Sequence, residues 1–568
     1  MSATSKVIAI ITLAVAALLI FVRLGHYSLW DDEAVTAFGA EGVWKTGDTS
    51  VIFDHNVVAY RSGLLLSGTH ERSTPPLPAY LAAPFVGIFG RVPGPIRFPF
   101  AVIGLCTVGL IMFWLYTLRA PWLTVLLMSM ALVGNVCFWL YARQARYYSP
   151  VLFSSILIAY IYLNYAGKRW QLIVMAVAGL ILLSSNYLNY FALHVCLLVD
   201  YVIIGRKRYL LSLKEWLIIL LPQVLIGGVI FSIWNTLGTG NRQYLEHNSL
   251  GDRLYLIWMN LRDMNYSEFY SPLLLLAAPV LYFFTRQTLL LRGVLVYIGY
   301  IFLVSMLSPQ MLTPERTEFA DIRYLTPLIP LAMALSVMVL LEIGKLIARY
   351  IPADGTNSPV AVNVPLILLA VITFGTNLLN GAPFWKQELG MPVRSTFFSY
   401  LGELWTPIAD PYEPASQWIR ETVQPGQSIF IWPDYMTYPL MFKAPHALYA
   451  WQFINEFPPA FKDLSPIHLR MHSLPDYMMA FGPIYVKQLV QSIQLPPNIN
   501  YPITAIIPVY WRDAYRPELF WHLFSSVPMN EEMVNNMQAV YCFRLVISPT
   551  TAPATAAATT APATEPRP

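Results

Sequence analysis

Long apolar stretches dominate this 568-residue sequence and restrict the folds that it can adopt. A helix needs about 20 mainly apolar residues to cross about 30 Å of hydrocarbon. Eleven stretches approach that length, and they begin near residues 7, 98, 122, 149, 170, 187, 214, 271, 292, 324 and 359. Because a helix satisfies all its backbone hydrogen bonds within itself, we expect an all-α polytopic membrane protein.

The composition agrees with a membrane protein and argues against other classes. The chain is 56% hydrophobic and only 12% charged, whereas soluble domains are about 25% charged. The net charge of +4 is small, and no basic cluster or phosphate-binding glycine loop with a lysine occurs, so no nucleic acid partner is predicted. The four cysteines show neither a disulfide pattern nor the spacing of zinc ligands.

Whether segment 75–90 crosses the membrane decides on which side each later loop lies. The segment is short and contains four prolines, so it fits either a surface helix or a crossing. Cytoplasmic loops are enriched in lysine and arginine. If 75–90 lies on the membrane surface, all the short basic loops fall on the cytoplasmic side. Their basic residues are Lys6, Arg119, Lys168, Arg169, Arg206, Lys207, Arg208, Arg286, Arg292, Lys345 and Arg349. We therefore predict a surface helix there and a cytoplasmic N-terminus in the inner (plasma) membrane.

The region after the last apolar stretch has a different character and is predicted to be extracytoplasmic. SQWIRETVQPGQSIFIW is typical of a helix, a turn and a strand, and PDYMMAFG, ITAIIPVYW and AVYCFRLVI are typical of strands. We predict a transmembrane module at 1–380, a small periplasmic α/β domain at 381–549, and a disordered Ala/Thr/Pro tail at 550–568.

An acidic triplet opens the first external loop, which spans residues 28–97. In SLWDDEAVTAF, Asp31, Asp32 and Glu33 follow Trp30 just beyond the first apolar stretch. An ordinary explanation is a solvated loop tip or the N-cap of a helix that begins near Ala34. The alternative is a group of carboxylates that takes part in chemistry on the outer face.

Several arginines are predicted to lie on the external face, although basic residues are usually enriched in cytoplasmic loops. Charged groups at membrane depth are costly, and those that occur often mark a functional cavity. Headgroup snorkelling, interfacial anchoring and an aromatic belt would also explain some of the basic and aromatic residues. The residues concerned are Arg143, Arg146, Tyr147, Tyr148, Arg242, Arg253, Arg262, Arg316, Arg323 and Tyr324.

Carboxylates and arginines on one face indicate a particular chemistry. Arginine binds phosphate oxygens in a bidentate manner, and a carboxylate near a hydroxyl can remove its proton. Together they suit the transfer of a group from a phosphate leaving group to a hydroxyl or amine. Since soluble phosphorylated donors are scarce outside the cytoplasm, we expect a membrane-resident donor such as a polyprenyl-phosphate sugar.

Four segments extend over some 300 residues: LWDDEAVTAF, THERSTPPLPAYL, YARQARYYSP and RYLTPLIPLAMAL. In this order they resemble the glycosyltransferase C (GT-C) superfamily, in its branch of protein mannosyltransferases and lipid A aminoarabinose transferases (families 39 and 83). The resemblance implies a GT-C fold and an inverting hexosyl- or pentosyltransferase.

The resemblance also implies roles for individual residues. The acidic pair of the family falls on Asp32, as the general base, and on Glu33, and Asp31 is an additional acid. The external arginines would bind the departing lipid phosphate. The residues assigned to substrate binding are Asp31, Thr74, Arg143, Arg146, Tyr147, Arg323 and Tyr324.

Two departures from the family pattern bear on the substrates and on metal use. Ser73-Thr74 stand where the aminoarabinose enzymes carry Glu-Lys, which argues against that particular activity. Ser149-Pro150 stand near a second acid of the mannosyltransferases, which in several relatives helps to hold a divalent metal. The sequence therefore predicts no certain cofactor and leaves a divalent metal open.

Other functions share parts of this pattern. A transporter or flippase of lipid-linked sugars could use the same arginines, although the internal repeats of many transporters are not visible. A membrane receptor would leave the acidic triplet unexplained. The sugar is not determined, and the acceptor could be a glycolipid, a polysaccharide or a protein.

Overall fold

The computed structural model is mainly helical, with a small sheet near the C-terminus. It describes residues 2–53, 55–58, 66–67, 69–235, 248–266, 272–312, 314, 320–350, 358–380, 393, 395–407, 410, 412–449, 474–492, 495, 498–509 and 539–547. The predicted tail at 550–568, Arg242 and Arg316 lie outside these residues.

Each of the eleven apolar stretches forms a helix. Among the described residues up to 380, the α-helices are α1 (Ala3–Phe21), α2 (Asp31–Thr46), α3 (Leu77–Phe89), α4 (Pro93–Thr117), α5 (Trp122–Gly134), α6 (Val136–Arg143), α7 (Tyr148–Leu163), α8 (Arg169–Ser185), α9 (Tyr187–Ile203), α10 (Leu213–Ile233), α11 (Leu250–Tyr266), α12 (Pro272–Thr285), α13 (Thr288–Leu307), α14 (Leu328–Tyr350) and α15 (Ser358–Gly375). The outer sides of the helices are apolar, as for Val224 of α10, which is 65% exposed.

Five helices of the described chain are long and apolar enough to cross a membrane by themselves, and a bent pair makes a sixth candidate. The five are α1, α4, α10, α13 and Leu328–Arg349 of α14. Six further apolar helices are shorter, and α3 is among them. These findings support an integral membrane protein, whereas the count of eleven spans and the orientation stay predictions.

The bent pair consists of α5 and α6, whose axes differ by 64°. Asn135 causes the break, because its side chain accepts a hydrogen bond from Phe138 N at 2.8 Å and caps α6. At Gly134 a Cβ atom would lie 2.1 Å from the backbone oxygen of Phe374, so only glycine fits there. The bend directs the end of α6 toward the N-terminus of α2.

Segment 75–90 forms α3, which packs along α2 in the first loop. The packing is close at Gly87, where a Cβ atom would lie 2.1 Å from the ring of Trp44. The described residues between α2 and α3 include two short antiparallel strand pairs, β1 (Ile52–Phe53) with β2 (Asn56–Val57) and β3 (Leu66–Ser67) with β4 (His70–Glu71). Residues of α2, α3, β1 and β2 belong to one hydrophobic core, so this part of the loop is packed.

The C-terminal part has the predicted mixture of helices and strands. Its central sheet has the order β6-β5-β7-β10-β9, with β5 parallel to β6 and β7, and β10 antiparallel to β7 and β9. The α-helices and strands in the described part of this region are α16 (Thr396–Trp405), α17 (Tyr412–Thr422), β5 (Ser428–Trp432), α18 (Thr437–Lys443), β6 (Leu448–Tyr449), β7 (Tyr477–Phe481), α19 (Pro483–Ser492), β8 (Ile499–Asn500), β9 (Ile503–Pro508), β10 (Ala539–Arg544) and β11 (Val546–Ile547).

The C-terminal sheet unit shares one hydrophobic core with the first loop. Phe38 of α2 packs edge-on against Phe442 of α18, with 5.9 Å between the ring centroids. The Asn56 side chain donates to the carbonyl of Ala447 at 2.9 Å and accepts from Tyr449 N at 2.8 Å. The unit is therefore fixed directly to the helix that carries the acidic triplet.

A buried ion pair joins two helices at the other end of the bundle. Arg292 of α13 donates twice to Asp200 of α9, at 2.9 and 2.6 Å, and Tyr162 donates to the same carboxylate at 2.5 Å. Removing one partner of a buried pair leaves an uncompensated charge. We expect Arg292→Met to lower the free energy of unfolding by about 3–5 kcal/mol.

Thermal and denaturant unfolding of the purified protein in detergent would measure this loss. Arg119→Met, at an exposed arginine, is the matched control and should change stability little. The double variant Asp200→Leu/Arg292→Met should be more stable than either single variant, because both charges are gone. Additive losses in the double variant would contradict the ion-pair explanation.

Candidate active site

The acidic triplet forms the first turn of α2. The helix begins at Asp31, and the positive end of its dipole favours carboxylates in that turn. Asp32 is 6% exposed and Glu33 is fully buried, so the triplet is not a solvated loop tip. It is also not the N-cap of a helix near Ala34, since the helix starts earlier. The Asp31 carboxylate accepts the backbone N–H of Asp32 at 2.8 Å.

Glu33 is held by a buried arginine that the sequence analysis missed. Arg97 donates to its two carboxylate oxygens at 2.8 and 2.5 Å, and Ala145 N donates at 2.7 Å. Arg97 also donates to three backbone carbonyls within residues 24–28. Glu33 and Arg97 thus join α2, the end of the first span and the turn after α6. An arginine inside the apolar stretch PIRFPF was the available signal.

Asp32 lies between two arginines that come from distant parts of the sequence. Arg146 Nη2 lies 3.2 Å from Asp32 Oδ2, and Arg323 Nη1 donates to the same oxygen. Arg146 also donates to the Asp32 carbonyl at 3.2 Å and to the Thr36 hydroxyl at 3.1 Å. The side chains of Asp32, Arg146 and Arg323 are 9 to 13% exposed. The structure therefore brings three of the predicted residues into one cluster.

Both arginines of this cluster keep their positive charge. Burial opposes the charged form of Arg146, but the nearby Asp32 carboxylate holds its pKa above the usual value. Burial acts in the same way on Arg323, whose pKa is raised by Asp321 and Asp32. The Nε atoms of Arg146 and Arg323 are buried without a hydrogen-bond partner in the described part of the chain. Each of these Nε–H groups is therefore a donor that the described residues leave unused.

Two tyrosines line the arginine cluster. The rings of Tyr147 and Tyr324 are nearly parallel, at 9°, with centroids 6.4 Å apart. Each ring lies next to the arginine that precedes it, at 5.5 Å for Arg146 and 5.7 Å for Arg323. These contacts are cation–π interactions, which fix the guanidinium planes. Burial raises the pKa of Tyr147 well above its usual value, so this hydroxyl stays protonated.

Arg143 points away from Arg146, although one short motif carries both. Its Nη1 donates to the hydroxyl of Tyr400 at 2.7 Å, and its Nη2 donates to the carbonyl of Val22 at 2.8 Å. The cause is the local backbone, because Arg143 is the last residue of α6 and Gln144 is extended. Both arginines were predicted to bind one phosphate, and the structure places them in different surroundings.

Other predicted polar residues have roles away from Asp32. Arg253 donates to the carbonyl of Ser308, and Arg262 pairs with the adjacent Asp263 at 2.6 Å. Thr74 is exposed, and its backbone N–H donates to the carboxylate of Glu71.

Glu71 is a further buried acid near the cluster, and it was not among the predicted site residues. It is 8% exposed, and Ser73 donates to it from the backbone N at 2.6 Å and from the hydroxyl. Burial raises the pKa of Glu71, whereas the charge of Arg146 acts in the opposite direction, which indicates that the two groups are near each other. Among the residues that the structure describes, no three His, Cys, Asp or Glu side chains are grouped to hold a metal.

Comparisons with known proteins identify the fold. No family model matches the sequence, and no curated protein matches it. The crystal structure of ArnT from Cupriavidus metallidurans bound to undecaprenyl phosphate matches with a TM-score of 0.54 at 14% identity, over 95% of this chain and 98% of that chain. The apo state of ArnT matches with a TM-score of 0.55 at 15% identity, over the same shares.

A more distant match is the Archaeoglobus fulgidus oligosaccharyltransferase, with a TM-score of 0.43 at 11% identity, over 83% of this chain and 67% of that chain. A TM-score this low supports no conclusion about the present chain. The match to ArnT extends over nearly the whole of both chains and includes the C-terminal unit. The chain has the GT-C fold, as its sequence motifs predicted.

Proposed function

We propose that this protein is an inverting membrane glycosyltransferase that transfers a sugar from a polyprenyl-phosphate donor to an extracytoplasmic acceptor. The observation that supports it best is the position of Asp32 between Arg146 and Arg323. A base and two phosphate-binding groups are thereby combined in one cluster. The shared fold with ArnT, which has been crystallised with undecaprenyl phosphate, agrees with this class of donor.

In this proposal, the donor phosphate takes the place between Arg146 and Arg323 that the Asp32 carboxylate occupies. A carboxylate beside two guanidinium groups is stabilised in its charged form and is a weak base. A phosphate has more oxygens and can accept hydrogen bonds from both arginines, including their unpaired Nε groups. Donor binding therefore displaces Asp32 from the arginines and makes its carboxylate more basic.

The transfer step then needs few groups from the protein. Asp32 takes the proton of the acceptor hydroxyl or amine, and the acceptor atom attacks the anomeric carbon from the face opposite the phosphate. The bond between that carbon and the phosphate oxygen breaks, and its electrons move onto the phosphate. Arg146 and Arg323 stabilise the charge that develops there.

The remaining residues bind and orient the substrates in this proposal. Glu33 and Arg97 position the first turn of α2, and Tyr147 and Tyr324 bound the sugar or the first isoprene unit. Asp31, at the start of α2, lies on the acceptor side. The apolar donor tail enters between helices, and the C-terminal unit shapes the acceptor site.

Proteoliposomes that contain the purified protein would test the proposed function. Polyprenyl-phosphate pentoses and hexoses are offered as donors with a membrane extract as acceptor, and mass spectrometry follows the release of polyprenyl phosphate and the new product. Glycolipids and glycans of a deletion strain would show which acceptor loses its sugar. Movement of the lipid-linked sugar across the vesicle without any product would refute the transferase and favour a flippase.

Loss of Arg146 or Arg323 should slow sugar transfer from the donor more than loss of another external arginine. We expect Arg323→Gln and Arg146→Gln each to lower kcat by about 10²- to 10³-fold, the usual effect of losing one group that stabilises transition-state charge. Steady-state kinetics with varied donor would measure this loss. Arg262→Gln, whose side chain pairs with Asp263, is the matched control, and an equal loss there would contradict the assignment.

A further inference from the structure

A second charged cavity lies beside the first turn of α2. It has a volume of about 80 Å³, and its polar lining includes Arg23, Glu33, Arg97, Arg143, Tyr400 and Glu403. A water molecule needs about 10–15 Å³ of such space, so the cavity holds several waters or a polar group of similar size. Asp32 contacts Arg146 and Arg323, whereas Glu33 lines this cavity, so the two sites lie on different sides of the helix.

The lining of this cavity has an excess of positive charge. Arg97 is neutralised by Glu33, and Glu403 accepts a hydrogen bond from the hydroxyl of Tyr27 at 2.7 Å. Arg23 donates to the carbonyl of Trp405 at 3.1 Å, and Arg143 donates to Tyr400 and to a carbonyl. Three guanidinium groups thus face two carboxylates, and in the described part of the chain neither Arg23 nor Arg143 forms an ion pair. Such a lining favours an anion.

One wall of the cavity is the amphipathic helix α16. Tyr400 faces inward and is 3% exposed, whereas Phe398 and Trp405 point outward and are 70% and 84% exposed. Outward aromatic side chains on a short amphipathic helix are typical of the boundary between lipid and water. The outer face of α16 therefore suits contact with the membrane surface, next to the cavity.

We infer that this cavity binds the phosphate of a lipid headgroup, and that it is the subsite for an anionic lipid acceptor. Its role as an acceptor subsite rests on the proposed glycosyltransferase function. The two arginines of ARQARYY then serve different substrates: Arg146 binds the donor phosphate, and Arg143 binds the acceptor phosphate. Arg23 adds a second positive charge to the acceptor side.

Binding of a short lipid phosphate in detergent tests this site without any need for transfer. The full-length protein is first saturated with undecaprenyl phosphate, so that the Arg146–Arg323 site is occupied. Dioctanoyl phosphatidic acid is then added while the midpoint of thermal unfolding is recorded. We expect a further rise in the midpoint, none with dioctanoylglycerol, and a rise with inorganic phosphate only if the free anion is sufficient.

Substitutions of cavity residues test whether the further rise in the unfolding midpoint comes from binding in the cavity. Arg143→Gln and Arg23→Gln should each weaken the apparent affinity for dioctanoyl phosphatidic acid by about 10- to 100-fold, the range for a lost hydrogen bond to a charged group. Arg143→Lys should restore part of it, and Arg206→Gln, at an exposed arginine elsewhere, should leave it unchanged. Tyr400→Phe removes a partner of Arg143 but keeps the charge, so it should retain binding.

The outcomes separate this inference from the proposed function. No further rise in the wild type, or equal losses in Arg143→Gln and Tyr400→Phe, would overturn the inferred site and leave only a structural role for Arg143. A further rise that disappears in Arg146→Gln but persists in Arg143→Gln would overturn it as well. Binding in the cavity without any sugar transfer would retain the anion site and refute the glycosyltransferase.

Discussion

Replacing Asp32 with asparagine should lower the rate of sugar transfer by about 10²- to 10⁴-fold, the range expected for the loss of a general base. Asparagine has nearly the same shape, so α2 keeps its place, but the amide does not accept the acceptor's proton. Steady-state kinetics in proteoliposomes with a polyprenyl-phosphate sugar would measure the loss. Transfer near the wild-type rate by a folded variant would refute the mechanism.

The same variant should bind polyprenyl phosphate more tightly than the wild type. In the wild type, Arg146 and Arg323 are engaged by the Asp32 carboxylate, and the phosphate has to displace it. Without that carboxylate no displacement is needed, so the apparent Kd falls while kcat also falls. A protein in which Asp32 had only a structural role would not show this opposite change.

Asp31→Asn distinguishes the first acid of the triplet from the second. The Asp31 carboxylate accepts the backbone N–H of Asp32, and the amide oxygen of asparagine can accept the same hydrogen bond. The change therefore removes the negative charge of Asp31 but neither Asp32 nor its two arginines. We expect a decrease in kcat much smaller than that of Asp32→Asn. Glu421→Gln, at an exposed acid of α17, controls for the loss of a negative charge alone.

Breaking the Glu33–Arg97 pair should have the largest effect on stability in this part of the protein. The Glu33 side chain is fully buried and that of Arg97 is 10% exposed, so the loss of either leaves a buried charge without its partner. We expect Glu33→Gln and Arg97→Met each to lower the free energy of unfolding by about 3–5 kcal/mol. Chemical unfolding in detergent measures this change.

A double-mutant cycle shows what the pair does for transfer. Glu33→Gln/Arg97→Met should be more stable than the sum of the single losses predicts, because both charges are removed together. Its kcat per folded molecule should stay low, because the hydrogen bonds that position the first turn of α2 are not replaced. Recovered stability together with full transfer would show that the pair only stabilises the fold.

The apolar pattern predicted most of the helices, but not the break within the stretch that begins near residue 122. A single span was expected there, and the chain forms α5 and α6 with a bend of 64°. Apolar composition does not reveal such a bend, because its causes are the cap at Asn135 and the close approach of Gly134 to Phe374. The cap belongs to the local sequence, whereas the close approach involves a residue 240 positions away.

The candidate site was predicted in part, and the difference has a physical cause. The placement of the basic loops on the cytoplasmic side predicted that Asp32, Arg146 and Arg323 share the external face of the membrane. The structure brings these three residues together. The placement of the loops did not predict the direction of Arg143, which depends on the backbone at the end of α6. Arg97 was overlooked because it lies in an apolar stretch and its partner is distant in sequence.

The contact between Phe38 and Phe442 implies that the first loop and the C-terminal unit have to be exchanged together if the protein is to stay active. Asp32 and Phe38 lie on the same helix, about 9 Å apart along its axis at 1.5 Å per residue. A C-terminal unit taken from a relative would bring a different surface against Phe38 and displace the carboxylate. Chimeras that exchange the unit alone should therefore be inactive, and those that also exchange residues 28–97 should regain transfer.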